Sequence, residues 1–119
     1  DSQKVAAAEV AASAEKTWTQ NELMTHGKSV YATNCAGCHQ ANGEGIPNVF
    51  PSLKGNAIVI GDIAKHIDVV INGVSGTAMQ AFGAQLNDAD LAAVITYKRN
   101  AWGNDTGDVV QPADIKAAR

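Results

Sequence analysis

Apolar residues recur at helical spacing in three stretches of this chain, and no strand pattern of useful length interrupts them except Ala57 to Ile60. The first stretch is opened by Thr19, three residues ahead of Glu22, which makes a capping box. Trp18 and Leu23 stand where a hydrophobic staple places its two residues. The pattern predicts a helix from Gln20 to Asn34 with Leu23, Gly27, Val30 and Tyr31 facing inward. A mid-helix glycine costs about 1 kcal/mol relative to alanine, so Gly27 predicts a second backbone passing close by. The second stretch has Asp62 as its cap, Ile63, Ile67, Val70 and Ile71 on one face, and Gly73 just past its end. The third begins at Asn87 with Asp88 and Asp90 in its first turn. It carries Leu91, Val94, Ile95 and Trp102 inward until Gly103 stops it, and Lys98 and Arg99 near its end complement the helix dipole.

Between these helices lie two irregular segments. Residues 40–56 hold Asn42-Gly43-Glu44-Gly45, Pro47, Pro51 and Gly55, with Phe50 and Leu53 as their large apolar residues. A loop of this length in a small domain needs something to wrap. Residues 74–85 are again irregular and contain Met79. At the ends, residues 1–18 read as an Ala-rich linker, because an isolated helix of that length is marginal in water. Residues 104–119 read as a polar tail, mobile or partner-dependent, with a last turn at Asp114 to Ala118. The expectation is an all-α domain of three to four helices over residues 19–103.

Composition narrows what such a domain can be. At 119 residues it is one domain, and 45% hydrophobic content comes with only two Trp, two Tyr and two Phe. That is little bulk for a small core, and a buried prosthetic group would supply the rest. A net charge of -3 with no basic stripe argues against nucleic acid as a partner. No run of 18 apolar residues is available to span a membrane, so no membrane contact is expected of the chain itself. Beginning at Asp1, without a charged n-region or an apolar h-region, the sequence reads as a processed or excised piece.

The chemistry sits in Cys35-Ala36-Gly37-Cys38-His39. Two thiols three positions apart reach two vinyl-derived carbons of one porphyrin, and the following imidazole turns onto the iron, as covalent c-type haem attachment requires. Three alternatives compete. A thioredoxin-like redox pair wants a strand leading into the motif and a βαβ pattern around it, and neither is visible. A structural zinc site needs four ligands and would have to recruit His39 with His26 or His66 at irregular spacing. A plain disulfide leaves His39 unexplained. One covalent haem c with His39 as its proximal ligand is the reading that uses all three residues.

A low-spin haem needs a sixth ligand. Met79 lies forty residues after His39 in the Gly-flanked loop from Gly76 to Gly83 and can swing its thioether over the opposite face; Met24, on the first helix, suits a core or surface role. The rivals are His66, read as a partly exposed helical histidine, and His26, whose place on the helix running into the cysteines is a poorer geometry. A Met/His pair raises the reduction potential relative to other axial pairs. With both positions filled, no site is left open for oxygen or peroxide, so the domain is expected to carry electrons and not to catalyse. A haem enzyme or gas sensor with a vacant sixth position is the reading from a different class.

The pentapeptide, the Gly27 and Tyr31 pair upstream, Phe50-Pro51-Ser52-Leu53 downstream, Met79, and the stretch from Leu91 to Tyr97 together resemble a class I cytochrome c over residues 19–103. The resemblance implies that fold, wrapped around one haem. It implies that the first and last helices cross at Gly27, Tyr31, Val94 and Tyr97, and that the Pro51 carbonyl meets the other nitrogen of His39, with Pro47 as the lesser alternative. It also adds Leu53 and Phe82 to the haem contacts and makes Val49, Ala78, Gln80, Ala81 and Phe82 the rim through which electrons pass. The family often has proline directly after the ligand methionine, where this chain has Gln80.

The stretches from Lys65 to Gly73, Gly76 to Leu86 and Tyr97 to Gly107 resemble, more narrowly, the cytochrome c domain at the C-terminus of subunit II of some bacterial haem-copper oxidases. This implies a periplasmic domain tethered through a larger subunit. It would accept electrons from a quinol-oxidising complex or a small cytochrome c and pass them to the dinuclear centre of a copper-binding domain in the same subunit. A free-standing periplasmic shuttle is the alternative.

Overall fold

A computed structural model describes residues 16–119; the linker expected over residues 1–18 lies largely outside the described residues. Among those described, six helices follow one another: α1 Gln20–Asn34, α2 Ala36–His39, α3 Ala57–Ile60, α4 Ile63–Asn72, α5 Asp88–Asn100 and α6 Pro112–Ala118. The only β feature among them is an isolated antiparallel bridge between Ile46 and Phe50. The fold is all-α.

The long helices α1 and α5 form the frame. Thr19 accepts from the Glu22 N–H at 3.1 Å while its own N–H donates to the Glu22 carboxylate at 3.0 Å, closing the capping box where the sequence places it. The buried face is Leu23, Gly27, Val30 and Tyr31, and each fully buried large apolar side chain of this kind contributes about 1.5–3 kcal/mol. Gly27 sits against α5: a methyl group there would collide with the Ala93 carbonyl and stand 2.7 Å from the Tyr97 Cβ. The second backbone expected at Gly27 is therefore that of α5. Beside the crossing, the Tyr31 ring lies 5.6 Å from that of Tyr97 and 5.0 Å from that of Trp102.

Three expectations are corrected. The helix α5 starts at the Asn87 cap as predicted but ends at Asn100, so Trp102 lies beyond it, with a left-handed φ of 57°. Lys98 and Arg99 do stand in the last turn of α5, and both are buried there. Arg99 donates to the carbonyls of Val59 and Gly61, each at 2.9 Å, and pairs with Asp108. The β-branched run Ala57–Ile60 is a helical turn, because the Asn56 side chain accepts from the N–H groups of Ile58 and Val59 and starts a helix there.

The third correction concerns the tail. Residues 104–119 are packed, with Val110, Pro112 and Ile115 buried and α6 lying against α5 and α4. The Val110 N–H donates to the Thr96 hydroxyl at 3.0 Å, and the Gln111 amide both accepts from and donates to the backbone of Trp18, at 2.8 and 2.9 Å. Two inward apolar side chains on a single polar turn are too few to register as a periodic stripe, yet enough to dock it.

Candidate functional site

The cysteine motif is one helical turn set directly after α1. The Cys35 N–H still donates to Tyr31 at 2.8 Å, and the His39 N–H then donates back to the Cys35 carbonyl at 3.0 Å. Positions three and four apart on a helix share a face, so Cys35, Cys38 and His39 are presented together. All three line a cavity of about 400 Å³, within the usual range for a ligand or cofactor site. Both thiols are free, Cys35 half-buried and Cys38 exposed, and burial pushes the Cys35 thiol up.

His39 Nδ1 lies 3.0 Å from the Pro51 carbonyl oxygen. A carbonyl only accepts, so Nδ1 carries the hydrogen and Nε2 is left with a free lone pair, the arrangement a metal-ligating imidazole needs. Burial also lowers the affinity of this imidazole for a second proton, with Lys98 acting the same way and the Pro51 bond opposing. The other proline considered, Pro47, is exposed and takes no part in this contact.

The loop after His39 is held in shape by polar ties to distant elements. The Tyr31 hydroxyl donates to the Gln40 carbonyl at 2.6 Å and the Trp102 indole to the Ala41 carbonyl at 2.9 Å. Asn104 donates to the carbonyls of Leu53 and Lys98 and accepts from the Gly55 N–H. These ties bring Phe50, Pro51 and Leu53 to the cavity wall.

Met79 reaches the same cavity from the other irregular segment. That segment is pinned to α4 by Phe82 N–H to Val70 and Gly83 N–H to Ile71, at 2.9 and 3.1 Å. Gly73 makes this possible: its φ is 70°, and a methyl group there would stand 2.7 Å from the Met79 carbonyl oxygen. Phe82 is buried and lines the cavity, as do Ala78 and Gln80 at its mouth, whereas Ala81 is exposed and is not among the lining residues. Val49, also at the mouth, is 65% exposed.

The rival histidines separate. His26 is away from the cavity, with its Nε2 2.6 Å from an Asp90 carboxylate oxygen. His66 is not the partly exposed residue expected: it is 1% exposed and lines the cavity, with neither ring nitrogen hydrogen-bonded. Burial, then Lys98 and Arg99, push its imidazole down to about 2, against a weaker pull from the Val59 carbonyl. Sequence reasoning also missed Lys98 as a lining residue. The signal was present in the spacing, since His66 stands three after Ile63 and four before Val70, and Lys98 stands four after Val94.

An apolar cavity bordered by two thiols on one turn, an imidazole with a free lone pair and a thioether from a facing loop fits a covalently held haem. Among the described residues no group of three or more His, Cys, Asp or Glu is placed to hold a metal ion by itself, which leaves the zinc alternative without its ligands.

Comparison with known proteins agrees in kind. The family described as "Cytochrome C oxidase, cbb3-type, subunit III" matches residues 22–97. The chain is 39% identical over 94 residues to cytochrome c-552 of Thermus thermophilus, covering 66% of this chain and 69% of that protein. It is 34% identical over 103 residues to the cytochrome c subunit of a quinone alcohol dehydrogenase from Gluconobacter oxydans, covering 78% of this chain but 22% of that subunit. With subunit CcoP of the cbb3-type cytochrome c oxidase of Azospirillum brasilense it shares 33% identity, covering 81% of this chain and 34% of that subunit. The chain thus spans between about a fifth and two thirds of these relatives' own lengths.

Proposed function

Because the chain belongs to the family of cytochrome c domains described as cbb3-type cytochrome c oxidase subunit III, we propose that it is an electron-entry domain of a respiratory oxidase. It is an electron carrier with covalently bound haem c. In the proposed reading Cys35 and Cys38 would hold the haem through thioether bonds, and His39 Nε2 and the Met79 sulfur would be the protein's ligands to its iron. The observation that carries this is that His39, its lone pair freed by Pro51, and Met79 border one cavity from two separate segments.

Bound haem c supplies a one-electron couple at its iron. The chain's own residues set what that couple does. Pro51 orients the His39 ring and makes its Nε2 a stronger donor. The sulfur of Met79, positioned by the turn at Gly73, would favour the reduced form and so a high potential. Leu53, Val59, Val70 and Phe82 exclude water, and the exposed edge at Val49, Ala78 and Gln80 is where electrons enter and leave. With His39 and Met79 both holding the iron, the domain would pass electrons without binding oxygen.

The proposed acceptor is the dinuclear copper centre of an oxidase subunit II, the donor a quinol-oxidising complex or a small cytochrome c, and the location the periplasmic side of a bacterial inner membrane. The extent of the match to cytochrome c-552, 69% of that protein, supports a second reading as a free-standing shuttle. Stopped-flow mixing of the reduced domain with a purified copper domain of subunit II tests the first: rapid oxidation supports it, and oxidation no faster than by an unrelated copper protein rejects it. A Met-to-ferric-iron charge-transfer band at the red edge of the spectrum, lost in Met79→Ala together with a fall in potential, supports the ligand pair. Prompt carbon monoxide binding by the reduced unsubstituted protein rejects it.

A further inference from the structure

We propose that Arg119 is a positioning residue for Met79: its guanidinium latches the turn that follows Met79 to α5 and α6 and so keeps the thioether at the cavity wall, an inference that rests on the ligand reading above. Arg119 stands at the end of α6, where its N–H donates to the Ile115 carbonyl at 3.1 Å. From there its side chain reaches a segment 31 to 36 residues earlier. Nη1 donates to the Gly83 carbonyl, Nη2 to the Leu86 carbonyl at 2.9 Å, and Nε to the Asp88 carboxylate at 2.6 Å.

The segment from Val74 to Gln85 has no helix to hold it, and Gln80 and Ala81, which follow Met79, do not fix φ as a proline ring would. Many of its bonds are to itself. The Val74 N–H donates to the Met79 carbonyl at 3.1 Å, the Met79 N–H to the Thr77 hydroxyl at 3.2 Å, and the Gln85 amide to Gln80 and Ala81, each at 2.9 Å. Such bonds shape the loop but move with it. What ties it to the rest of the fold on one side is α4, through the N–H groups of Phe82 and Gly83. On the other side the tie is Arg119. Gly83, four residues after Met79, is gripped by both, its N–H by the Ile71 carbonyl and its own carbonyl by Arg119.

An exposed ion pair contributes little by itself, and the Arg119 side chain is 33% exposed. The latch does not depend on that pair alone. One planar fork serves two carbonyls and a carboxylate together, which a lysine ammonium on a flexible stem does not reproduce. Its base is fixed, because Pro112 and Ile115 bury α6 against the core. When the turn swings out, Met79 leaves its place and an added ligand can take it. Affinity for such a ligand therefore reports the fraction of molecules with the loop open.

The test is imidazole binding to the ferric, haem-loaded protein, followed through loss of the Met-to-iron band, with far-UV circular dichroism on each variant. Arg119→Ala removes the latch, and Arg119→Gln removes the charged fork but retains much of the stem. Both should bind imidazole about tenfold more tightly than the parent, the equivalent of losing one or two hydrogen bonds from a charged donor. Arg119→Lys, which keeps a cation beside Asp88, should gain about threefold. Gly27→Ala loosens the crossing of α1 and α5 without touching the loop, so its imidazole affinity should stay within about twofold of the parent's. Unchanged affinity in both R119A and R119Q overturns the proposal. An equal gain in G27A also overturns it, since the effect is then a general loosening. A parent without the Met-to-iron band fails the ligand reading and takes this inference with it, whereas a parent with the band, whose Arg119 variants bind imidazole no better, rejects the latch and leaves the ligand reading standing.

Discussion

His39 Nδ1 and the Pro51 carbonyl oxygen, 3.0 Å apart, tie the haem-binding turn to a loop residue twelve positions downstream. In the proposed reading the bond gives Nε2 partial imidazolate character, which would favour ferric over ferrous iron. Replacing Pro51 by Gly keeps the carbonyl but frees the backbone that aims it. The expected outcome is a rise in reduction potential of about 20–60 mV, the one-electron equivalent of losing much of a ~0.5–1.5 kcal/mol hydrogen bond. Redox titration of Pro51→Gly checks it, and an unchanged potential means that the carbonyl does not tune the iron.

The packing of Gly27 on Ala93 makes a prediction whose sign distinguishes two situations. In an open helix, Gly→Ala would stabilise by about 1 kcal/mol. Here the new methyl group meets the Ala93 carbonyl and the Tyr97 Cβ, atoms of a helix held in place by the rest of the core. Gly27→Ala should therefore destabilise the protein by about 1–3 kcal/mol. A lower denaturant midpoint agrees with the close crossing, and a higher one contradicts it.

These two sites mark how far the sequence could be read. Signals that act within a few residues were legible: the Thr19–Glu22 box set the start of α1, Asp62 and Gly73 bounded α4, and the Cys35 to His39 spacing named the cofactor. What escaped depends on partners far along the chain. Arg99 lies inside because Val59 and Gly61, about forty residues earlier, offer it carbonyls. Asn104 is buried because Leu53, Gly55 and Lys98 surround its amide. A polar letter in a sequence carries no mark of such an arrangement, so the tail looked solvated and His66 looked exposed. The reverse error at Ala57–Ile60 has a local cause: β-branched residues favour strands, and one asparagine cap overrides them in a segment too short to pair.

The cavity mouth makes a prediction about partner kinetics. Val49, Ile58, Val74, Thr77, Ala78 and Gln80 border it, and none is charged. Lys98, the cation on the wall, is buried. Association through this edge therefore has little steering to lose in salt. The electron-transfer rate to the proposed acceptor, a copper domain, should change by less than about threefold between low and physiological ionic strength, where steered pairs gain or lose ~10-fold or more. Val49→Glu should introduce a salt dependence that the parent lacks, and stopped-flow rates across a salt series check both.

Asp108 makes a prediction about acid stability. Its hydrogen bonds from Arg99 hold its carboxyl below the usual carboxylate range, against an opposing effect of burial and with a lesser contribution from Thr106. A carboxyl whose proton affinity is lower in the folded than in the unfolded chain stabilises the fold above the unfolded value. That contribution fades as pH falls from about 4 through the lower folded value. Arg99 keeps its bonds to Val59 and Gly61 in Asp108→Asn, and Asp108 is partly solvent-exposed, so the loss at neutral pH should be modest, about 1–2 kcal/mol. The difference between parent and variant should then shrink as pH falls below about 4 and the parent carboxyl takes up a proton through its lowered folded value, because the protonated carboxyl pairs with Arg99 no better than an amide does. Urea unfolding of both proteins between pH 7 and pH 2.5 measures the gap. A gap independent of pH would assign the effect of the substitution to packing, and a gap that closes would assign it to the charge on Asp108.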